Sequence, residues 1–246
     1  MNASPDARQQ LEQLHEATAS GVRVAPVAGV LLTDAEIDHT AGLLLLRESA
    51  APINVYGPED VELALRHGFP VLTMLERYCG LEWHTLPPGG AIALDGSSLA
   101  VESFATGGDA PRYLDGSGLQ VESSGLQFRD REDGSVVTYI PGMSSLTIGI
   151  SERLGASDLA LVDGTFWTDD ELPRLGYTER GARDMGHLPL SGPGGTIEAL
   201  GSIPRPRKVL VHINNTNPIL LEDSPERAAV VRAGIEIGYD GMEVVL

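Results

Sequence analysis

The segment from Gly29 to Arg47, GVLLTDAEIDHTAGLLLLR, constrains this chain more than any other. Its apolar start, at residues 29–32, predicts a short buried strand, and residues 40–47 predict a helix with a leucine-rich inner face. Between them lie four side chains of metal-ligand type: Asp34, Glu36, Asp38 and His39. A strand that leads through a polar turn into a helix places such side chains at the strand's carboxyl end, where open α/β sheets usually build their sites.

Two interpretations of this turn are open. As a metal site, its mixture of carboxylates and an imidazole suits iron, manganese or zinc. As a purely structural feature, Asp34 or Asp38 caps the following helix and Glu36 is solvated. The segment alone does not decide between them.

The composition predicts a single cytoplasmic α/β domain. The 246 residues are 42% hydrophobic and carry a formal charge of −18, from 17 basic and 35 acidic side chains. Because nucleic acids and anionic membranes attract basic surfaces, neither partner is expected. The one cysteine, Cys79, allows no intramolecular disulfide and no cysteine-based zinc site. No apolar run approaches the roughly 20 residues of a membrane span, and no signal peptide is recognised.

The first residues predict a helix over residues 1–19, because Ser4 is a typical N-cap and Pro5 suits the first helical position. A helix at this place normally follows a strand, and no such strand precedes it here. We therefore expect an N-terminally truncated form of a larger α/β chain.

The remaining pattern predicts two stretches of alternating strands and helices around a hairpin-rich middle. Asp95-Gly96, Asp115-Gly116 and Asp133-Gly134 predict turns between antiparallel strands from residue 82 to residue 140. The expected strands outside that middle are 29–32, 53–56, 158–163, 208–213, 235–237 and 242–246. The expected helices after the first are 40–47, one with Pro58 at its first position, 71–78 and 224–233. This pattern indicates an α/β fold with a mixed sheet.

Two polar clusters occupy the second half. Asp163 ends a predicted buried strand and either contacts a site or caps residues 165–170. Residues 183–187 bring Arg183, Asp184 and His187 together in a glycine-flanked loop. Asp184 could orient His187, although a lone histidine more often has a structural role.

A third cluster follows the strand at residues 208–213. His212 lies at its end, and the turn after it supplies Asn214, Asn215 and Asn217 before Pro218. Amide side chains donate and accept hydrogen bonds, so the turn suits a ligand with carboxylates and carbonyls. The same residues also form ordinary Asx turns.

Residues 33–43 resemble the metal-binding loop of the metallo-β-lactamase superfamily, whose pattern is Thr-His-x-His-x-Asp-His-x-x-Gly-Leu. Asp34 and Glu36 replace the first two histidines of that pattern, whereas Asp38, His39 and Gly42 fit it. A dinuclear zinc hydrolase needs the missing histidines, so hydrolysis through a bridging hydroxide is not expected.

Six motifs, at residues 2–6, 32–40, 68–74, 163–167, 183–187 and 212–218, resemble in order those of the pyrroloquinoline quinone (PQQ) biosynthesis protein B family. The resemblance implies one metallo-β-lactamase-like domain over residues 1–246, an αββα sandwich of two mixed sheets. It also implies that N-terminal strands are missing, together with the family's Cys-x-Cys-x-x-Cys structural zinc site.

For function, the resemblance implies a non-haem iron hydroxylase of PQQ biosynthesis that oxygenates a precursor derived from tyrosine and glutamate. Asp38, His39 and His212 would hold Fe(II), or alternatively zinc, because two histidines and one carboxylate form the facial triad of iron oxygenases. His187 and Asp184 would transfer protons. The residues expected to hold substrate carboxylates are Arg183, Asn214, Asn215 and Asn217.

The expected partners are that precursor and other proteins of PQQ biosynthesis. Two alternatives accompany this interpretation. One is a carrier that binds PQQ or its precursor for transport to the periplasm, and the other is an inactive truncated copy.

Overall fold

The computed structural model describes residues 1–18 and 27–246. The chain forms two compact units. The first comprises Met1–Gly90 and Ala110–Glu122, and the second comprises Ala91–Asp109 and Ser123–Leu246. The assignment of all 246 residues to one domain stays a prediction. Ala19, the last residue of the predicted first helix, lies outside the described residues.

The first unit contains a three-stranded parallel sheet in the order β1-β2-β3. Its apolar core includes the fully buried Leu32, Leu43 and Leu72. The strands are β1 (Val30–Leu31), β2 (Ile53–Gly57) and β3 (Leu81–Thr85). The helices are α1 (Ala7–Thr18), α2 (Ile37–Thr40), α3 (Glu59–His67) and α4 (Val71–Tyr78), with 3₁₀ helices at Ala41–Leu46 and Arg112–Leu114.

Three predictions for this unit are corrected. The first helix begins at Ala7, after a turn in which the Ala7 amide donates to the Ser4 carbonyl. Strand β3 pairs parallel with β2, whereas the sequence predicted an antiparallel neighbour. The helix predicted at residues 40–47 is instead the short α2 followed by a 3₁₀ helix.

The N-terminal residues account for the position of that 3₁₀ helix. The Gly42 amide donates to the Ala3 carbonyl (2.8 Å), and the Ala3 amide donates to the His39 carbonyl (2.6 Å). The backbones approach so closely that a Cβ atom on Gly42 would lie 2.1 Å from the Ser4 carbonyl oxygen. Glycine is therefore required at this position, because only it lets another chain segment come so near.

The second unit is built on a seven-stranded mixed sheet in the order β10-β9-β8-β7-β6-β5-β4. Strands β4 to β7 are antiparallel neighbours, and β7 to β10 run parallel. The strands are β4 (Ala91–Ala93), β5 (Leu99–Ala105), β6 (Ser124–Asp130), β7 (Val136–Ile140), β8 (Leu159–Asp163), β9 (Arg207–Val211) and β10 (Glu236–Ile237). The helices are α5 (Ile148–Ala156), α6 (Glu171–Leu175), α7 (Thr196–Gly201) and α8 (Pro225–Arg232), with 3₁₀ helices at Arg183–Met185 and Pro218–Leu220.

The hairpin predictions in this region are partly right. Asp95-Gly96 and Asp133-Gly134 lie between paired antiparallel strands, as expected. Asp115-Gly116 instead follows a 3₁₀ helix of the first unit. The closing strand predicted at residues 242–246 is also wrong, because these residues belong to no strand.

The register of the parallel strands positions the functional residues of the second unit. Asp163, the last residue of β8, lies opposite Val211, the last residue of β9. The carboxyl ends of both strands therefore meet at one edge of the sheet, which brings Asp163 next to the residue that follows Val211.

No helix of the described ranges is long and apolar enough to cross a membrane.

Candidate functional site

In the first unit, the polar turn after β1 is built around a buried pair, Asp34 and His39. The His39 Nδ1 lies 2.8 Å from Oδ1 and 2.7 Å from Oδ2 of Asp34. Asp34 also accepts hydrogen bonds from the Thr33 hydroxyl (2.7 Å) and the Glu36 amide (3.0 Å). Asp34 is therefore an orienting partner of the imidazole, and the N-cap of α2 is Glu36, whose side chain makes no capping bond.

The electrostatics of this pair favour a proton on the His39 Nδ1. Burial raises the pKa of Asp34 and is the largest single influence, but the attraction and hydrogen bonds of its neighbours outweigh it and lower that pKa. Burial correspondingly lowers the pKa of His39, yet the nearby carboxylates, led by Asp34, raise it overall. The neighbouring Asp38 is exposed on α2.

Two residues outside the turn hold its backbone. Asn2 accepts a hydrogen bond from the Thr33 amide (3.0 Å), and the Tyr113 hydroxyl donates to the Ala35 carbonyl (2.7 Å). Burial, helped by the negative charges of Glu36 and Asp34, raises the pKa of Tyr113 to about 12. Sequence analysis did not find Tyr113, because it is 78 residues from its partner and lies in a stretch with no regular pattern.

In the second unit, the fully buried carboxylate of Asp163 is the centre of a hydrogen-bond cluster. Its Oδ2 accepts from the His187 Nδ1 (2.7 Å) and the Met143 amide (3.3 Å). Its Oδ1 accepts from the Thr165 amide (3.0 Å) and hydroxyl (2.5 Å). Asp163 therefore contacts a candidate site residue, as one interpretation predicted, whereas its predicted capping of residues 165–170 is wrong, because the helix α6 begins at Glu171 with Asp170 as its N-cap.

Thr165 connects this carboxylate to His212. The Thr165 hydroxyl oxygen lies 2.7 Å from the His212 Nδ1, and the rings of His187 and His212 stack with centroids 5.4 Å apart. Asp163, His187 and His212 each offer a ligand-type atom within 4.8 Å of the others. His212 has φ of +55°, in the left-handed region that non-glycine residues rarely adopt.

The cluster also controls the ionisation of Asp163. Burial is the largest influence and raises the pKa of Asp163, but the attraction of His187, its hydrogen bond, and the contributions of His212 and Thr165 outweigh burial and lower that pKa. A carboxylate that stays ionised can orient both imidazoles, because it can only accept hydrogen bonds.

The pairing of His187 with Asp184 requires correction. Asp184 is exposed, and its Oδ2 accepts from the Gly181 amide at 3.0 Å. The carboxylate that orients His187 belongs to Asp163, which is 24 residues away in the sequence. The prediction chose Asp184 because it is close to His187 in the sequence. The position of Asp163, a buried acid at the end of β8, was the better indication of the true partner.

Asn214 and Asn217, in the amide-rich turn after β9, form hydrogen bonds within the protein. The buried Asn217 donates to the Gly164 carbonyl (2.9 Å) and accepts from the Ile219 amide (3.1 Å), so its side chain holds the turn, and its role in substrate binding stays a prediction. Asn214 donates to the Thr216 hydroxyl (2.7 Å), which in turn donates to the buried Glu171 (2.5 Å). Asn215 and Arg183 are exposed.

Comparison with known proteins shows to which superfamily this protein belongs. Residues 1–213 match the model of the beta-lactamase superfamily domain. The α/β fold with its mixed sheet agrees with that assignment, and the chain belongs to this superfamily.

The match extends to one particular family. The chain is 44% identical over 250 residues to the coenzyme PQQ synthesis protein B of Methylococcus capsulatus and 45% identical over 258 residues to that of Cupriavidus necator. Each match covers 100% of this chain and 82% of the relative. The crystal structure of Zn²⁺-bound PqqB from Methylobacterium extorquens superposes with a TM-score of 0.87 at 33% identity, over 100% of this chain and 82% of that one. The chain belongs to the family of coenzyme PQQ synthesis protein B.

Proposed function

We propose that this chain takes part in the biosynthesis of pyrroloquinoline quinone. The supporting observation is the match of the whole chain, at 44% and 45% identity, to proteins named for that synthesis. The synthetic step that we propose is a metal-dependent oxygenation of a precursor derived from tyrosine and glutamate. Its partners would be that precursor and other proteins of PQQ biosynthesis, in the cytoplasm.

The proposed metal ligands are Asp38, His39 and His212. The donor set suits a metal, because His39 and His212 each have a partner at Nδ1, Asp34 for the first and Thr165 for the second. Metal-binding histidines normally have such a partner, which orients the ring and raises its basicity. A relative in the same family has been crystallised with Zn²⁺.

We propose Fe(II) as the working ion and zinc as the alternative. Zinc has no redox chemistry, whereas two histidines and one carboxylate are the usual ligands of Fe(II) in enzymes that use O₂. Iron, when bound, would supply the reaction with O₂.

His187 is the proposed proton acceptor. Its Nδ1 is occupied by the ionised Asp163, so a proton taken up by the ring arrives at Nε2. The resulting imidazolium is stabilised by the buried negative charge, as for a histidine base held by a carboxylate.

The exposed Arg183 and Asn215 are the proposed partners of substrate carboxylates, because the amides of Asn214 and Asn217 are engaged within the protein.

The test is metal content together with Fe(II)-dependent O₂ consumption in the presence of the tyrosine-derived precursor. We expect about one equivalent of iron in the wild type, and loss of both metal and turnover in His212→Ala. His67→Ala, which removes an exposed histidine at the end of α3, serves as the matched control. Absence of bound metal, with PQQ binding unchanged in His212→Ala, would contradict the oxygenase and indicate a carrier.

A further inference from the structure

Thr165 lies in a hydrogen-bond arrangement whose protons can be assigned. Its hydroxyl carries one proton and has a potential acceptor 2.5 Å away in Asp163 Oδ1 and another 2.9 Å away in the His212 carbonyl. Its oxygen also lies 2.7 Å from the His212 Nδ1. Asp163 acts as an acceptor at both oxygens, because the Thr165 amide donates to Oδ1 and the Met143 amide donates to Oδ2.

These contacts allow one consistent assignment for the shortest bonds. If Thr165 donated to the His212 Nδ1, its oxygen lone pairs would face the Asp163 carboxylate at 2.5 Å, which is repulsive. If Thr165 donates to Asp163, its oxygen accepts a proton from the His212 Nδ1, and both contacts are attractive. His187 reaches the same carboxylate directly through its own Nδ1.

We propose that Thr165 is a positioning residue that fixes His212 in the Nδ1-protonated tautomer by donating its own hydroxyl proton to Asp163. One buried carboxylate thereby sets the tautomer of two histidines, His187 directly and His212 through a hydroxyl. In both rings the lone pair is then on Nε2, the nitrogen from which a histidine binds a metal or accepts a proton. This inference rests on the proposed metal-binding role of His212.

The surroundings of Thr165 hold the hydroxyl in place. Thr165 is buried, its carbonyl accepts from the Asn214 amide (3.1 Å), and its amide donates to Asp163. The left-handed backbone of His212 is held beside the same residue by the Asn214 amide, which donates to the Thr165 carbonyl. Backbone strain of this kind persists only when the surrounding structure enforces it.

The first experiment is a ¹H–¹⁵N NMR spectrum of the metal-free protein with labelled histidines, which distinguishes the two tautomers. We expect Nδ1-protonated rings for both His187 and His212 in the wild type. In Thr165→Val, His212 should lose this preference while His187 keeps it, because the His187 Nδ1, although 3.1 Å from the Thr165 hydroxyl, retains its shorter bond of 2.7 Å to Asp163 Oδ2. Thr165→Ser should restore the wild-type pattern, since serine retains the hydroxyl.

The matched control is Thr138→Val, which removes a buried threonine hydroxyl from β7 that bonds to Ser157 and Gln127. It should leave both histidine tautomers unchanged. An Nε2-protonated His212 in the wild type would refute the proposal without any variant, and so would an unchanged His212 in Thr165→Val. If Thr165→Val does not fold, Thr165→Ala provides the same comparison.

A second measurement links the tautomer to the metal. Zn²⁺ affinity, measured by competition with a chelator, should fall about 10- to 100-fold in Thr165→Val, the usual effect of losing the partner of a metal-binding histidine. It should remain near the wild-type value in Thr165→Ser. If wild-type protein binds no metal but shows the predicted tautomers, the proposed metal site fails and the role of Thr165 stands.

Discussion

The His39 Nδ1 contacts both carboxylate oxygens of Asp34, five residues earlier in the chain, at 2.8 Å from Oδ1 and 2.7 Å from Oδ2. Asp34 occupies a position at which the metallo-β-lactamase loop pattern has a histidine. The substitution therefore does more than remove a ligand of a second metal, because it introduces a buried carboxylate that orients the remaining histidine. That one metal ion binds at this loop, and not two, stays a prediction.

The Asp34→Asn substitution tests this role. The amide retains an acceptor for the His39 Nδ1 but loses the negative charge, so the ring becomes a weaker ligand. We expect Zn²⁺ affinity to fall by about 10- to 100-fold, measured by chelator competition. Asp133→Asn, which removes a charge from an exposed turn, is the control for net charge. Equal affinities of both variants and the wild type would contradict an orienting role for Asp34.

Because the partner of His187 is Asp163 and not Asp184, replacing these two acids should lower the free energy of unfolding by different amounts. Asp163→Ala leaves the buried amides of Thr165 and Met143 and the partly buried His187 Nδ1 without their acceptor, and each buried unsatisfied group costs about 1–3 kcal/mol. We expect a loss of on the order of 3 kcal/mol in the free energy of unfolding. Asp184→Ala should cost under about 1 kcal/mol, because that residue is exposed. Urea denaturation measures both, and a larger cost at Asp184 would contradict the structure.

The close approach of the N-terminal residues to the 3₁₀ helix makes Gly42→Ala destabilising. The added methyl group would meet the Ser4 carbonyl oxygen at 2.1 Å and the Ala3 carbonyl oxygen at 2.7 Å, so the backbone must shift. Overpacking of this kind costs about 1–3 kcal/mol. Gly149→Ala is the control, since nothing lies within 4 Å of its added methyl and alanine favours the helix α5. Thermal unfolding should therefore shift in opposite directions for the two variants.

Tyr113 should make the protein sensitive to alkali. Its pKa rises from 10.0 to about 12 in the folded protein, because burial and nearby carboxylates disfavour the phenolate. The fold therefore favours the protonated form, and its contribution to stability is complete below pH 10 and is lost as pH rises from 10 to about 12.

Comparison of Tyr113→Phe with the wild type tests this dependence. The variant loses the hydrogen bond to the Ala35 carbonyl and should be about 1 kcal/mol less stable at neutral pH. The difference in free energy of unfolding should shrink between pH 10 and pH 12. Tyr78→Phe, at a side chain 72% exposed, should follow the wild type throughout. A stability difference that stays constant from pH 10 to about 12 would contradict the raised pKa of Tyr113.

Local sequence was sufficient for elements defined by neighbouring residues. The strand at β2, the helix α4 and the hairpins at Asp95-Gly96 and Asp133-Gly134 depend on short apolar periods and on turn residues that act within a few positions. The order of motifs also indicated the family, which the comparisons confirmed.

Tertiary structure decided which residues are partners. Asp163 and His187 are 24 residues apart, and Thr165 and His212 are 47 apart, so no local pattern links them. The parallel register of β8 with β9 brings Asp163 level with Val211, and that register results from burial of both strands in one core. The sequence alone therefore determined which side chains were available for chemistry, and the packing of the sheet determined which carboxylate orients which histidine.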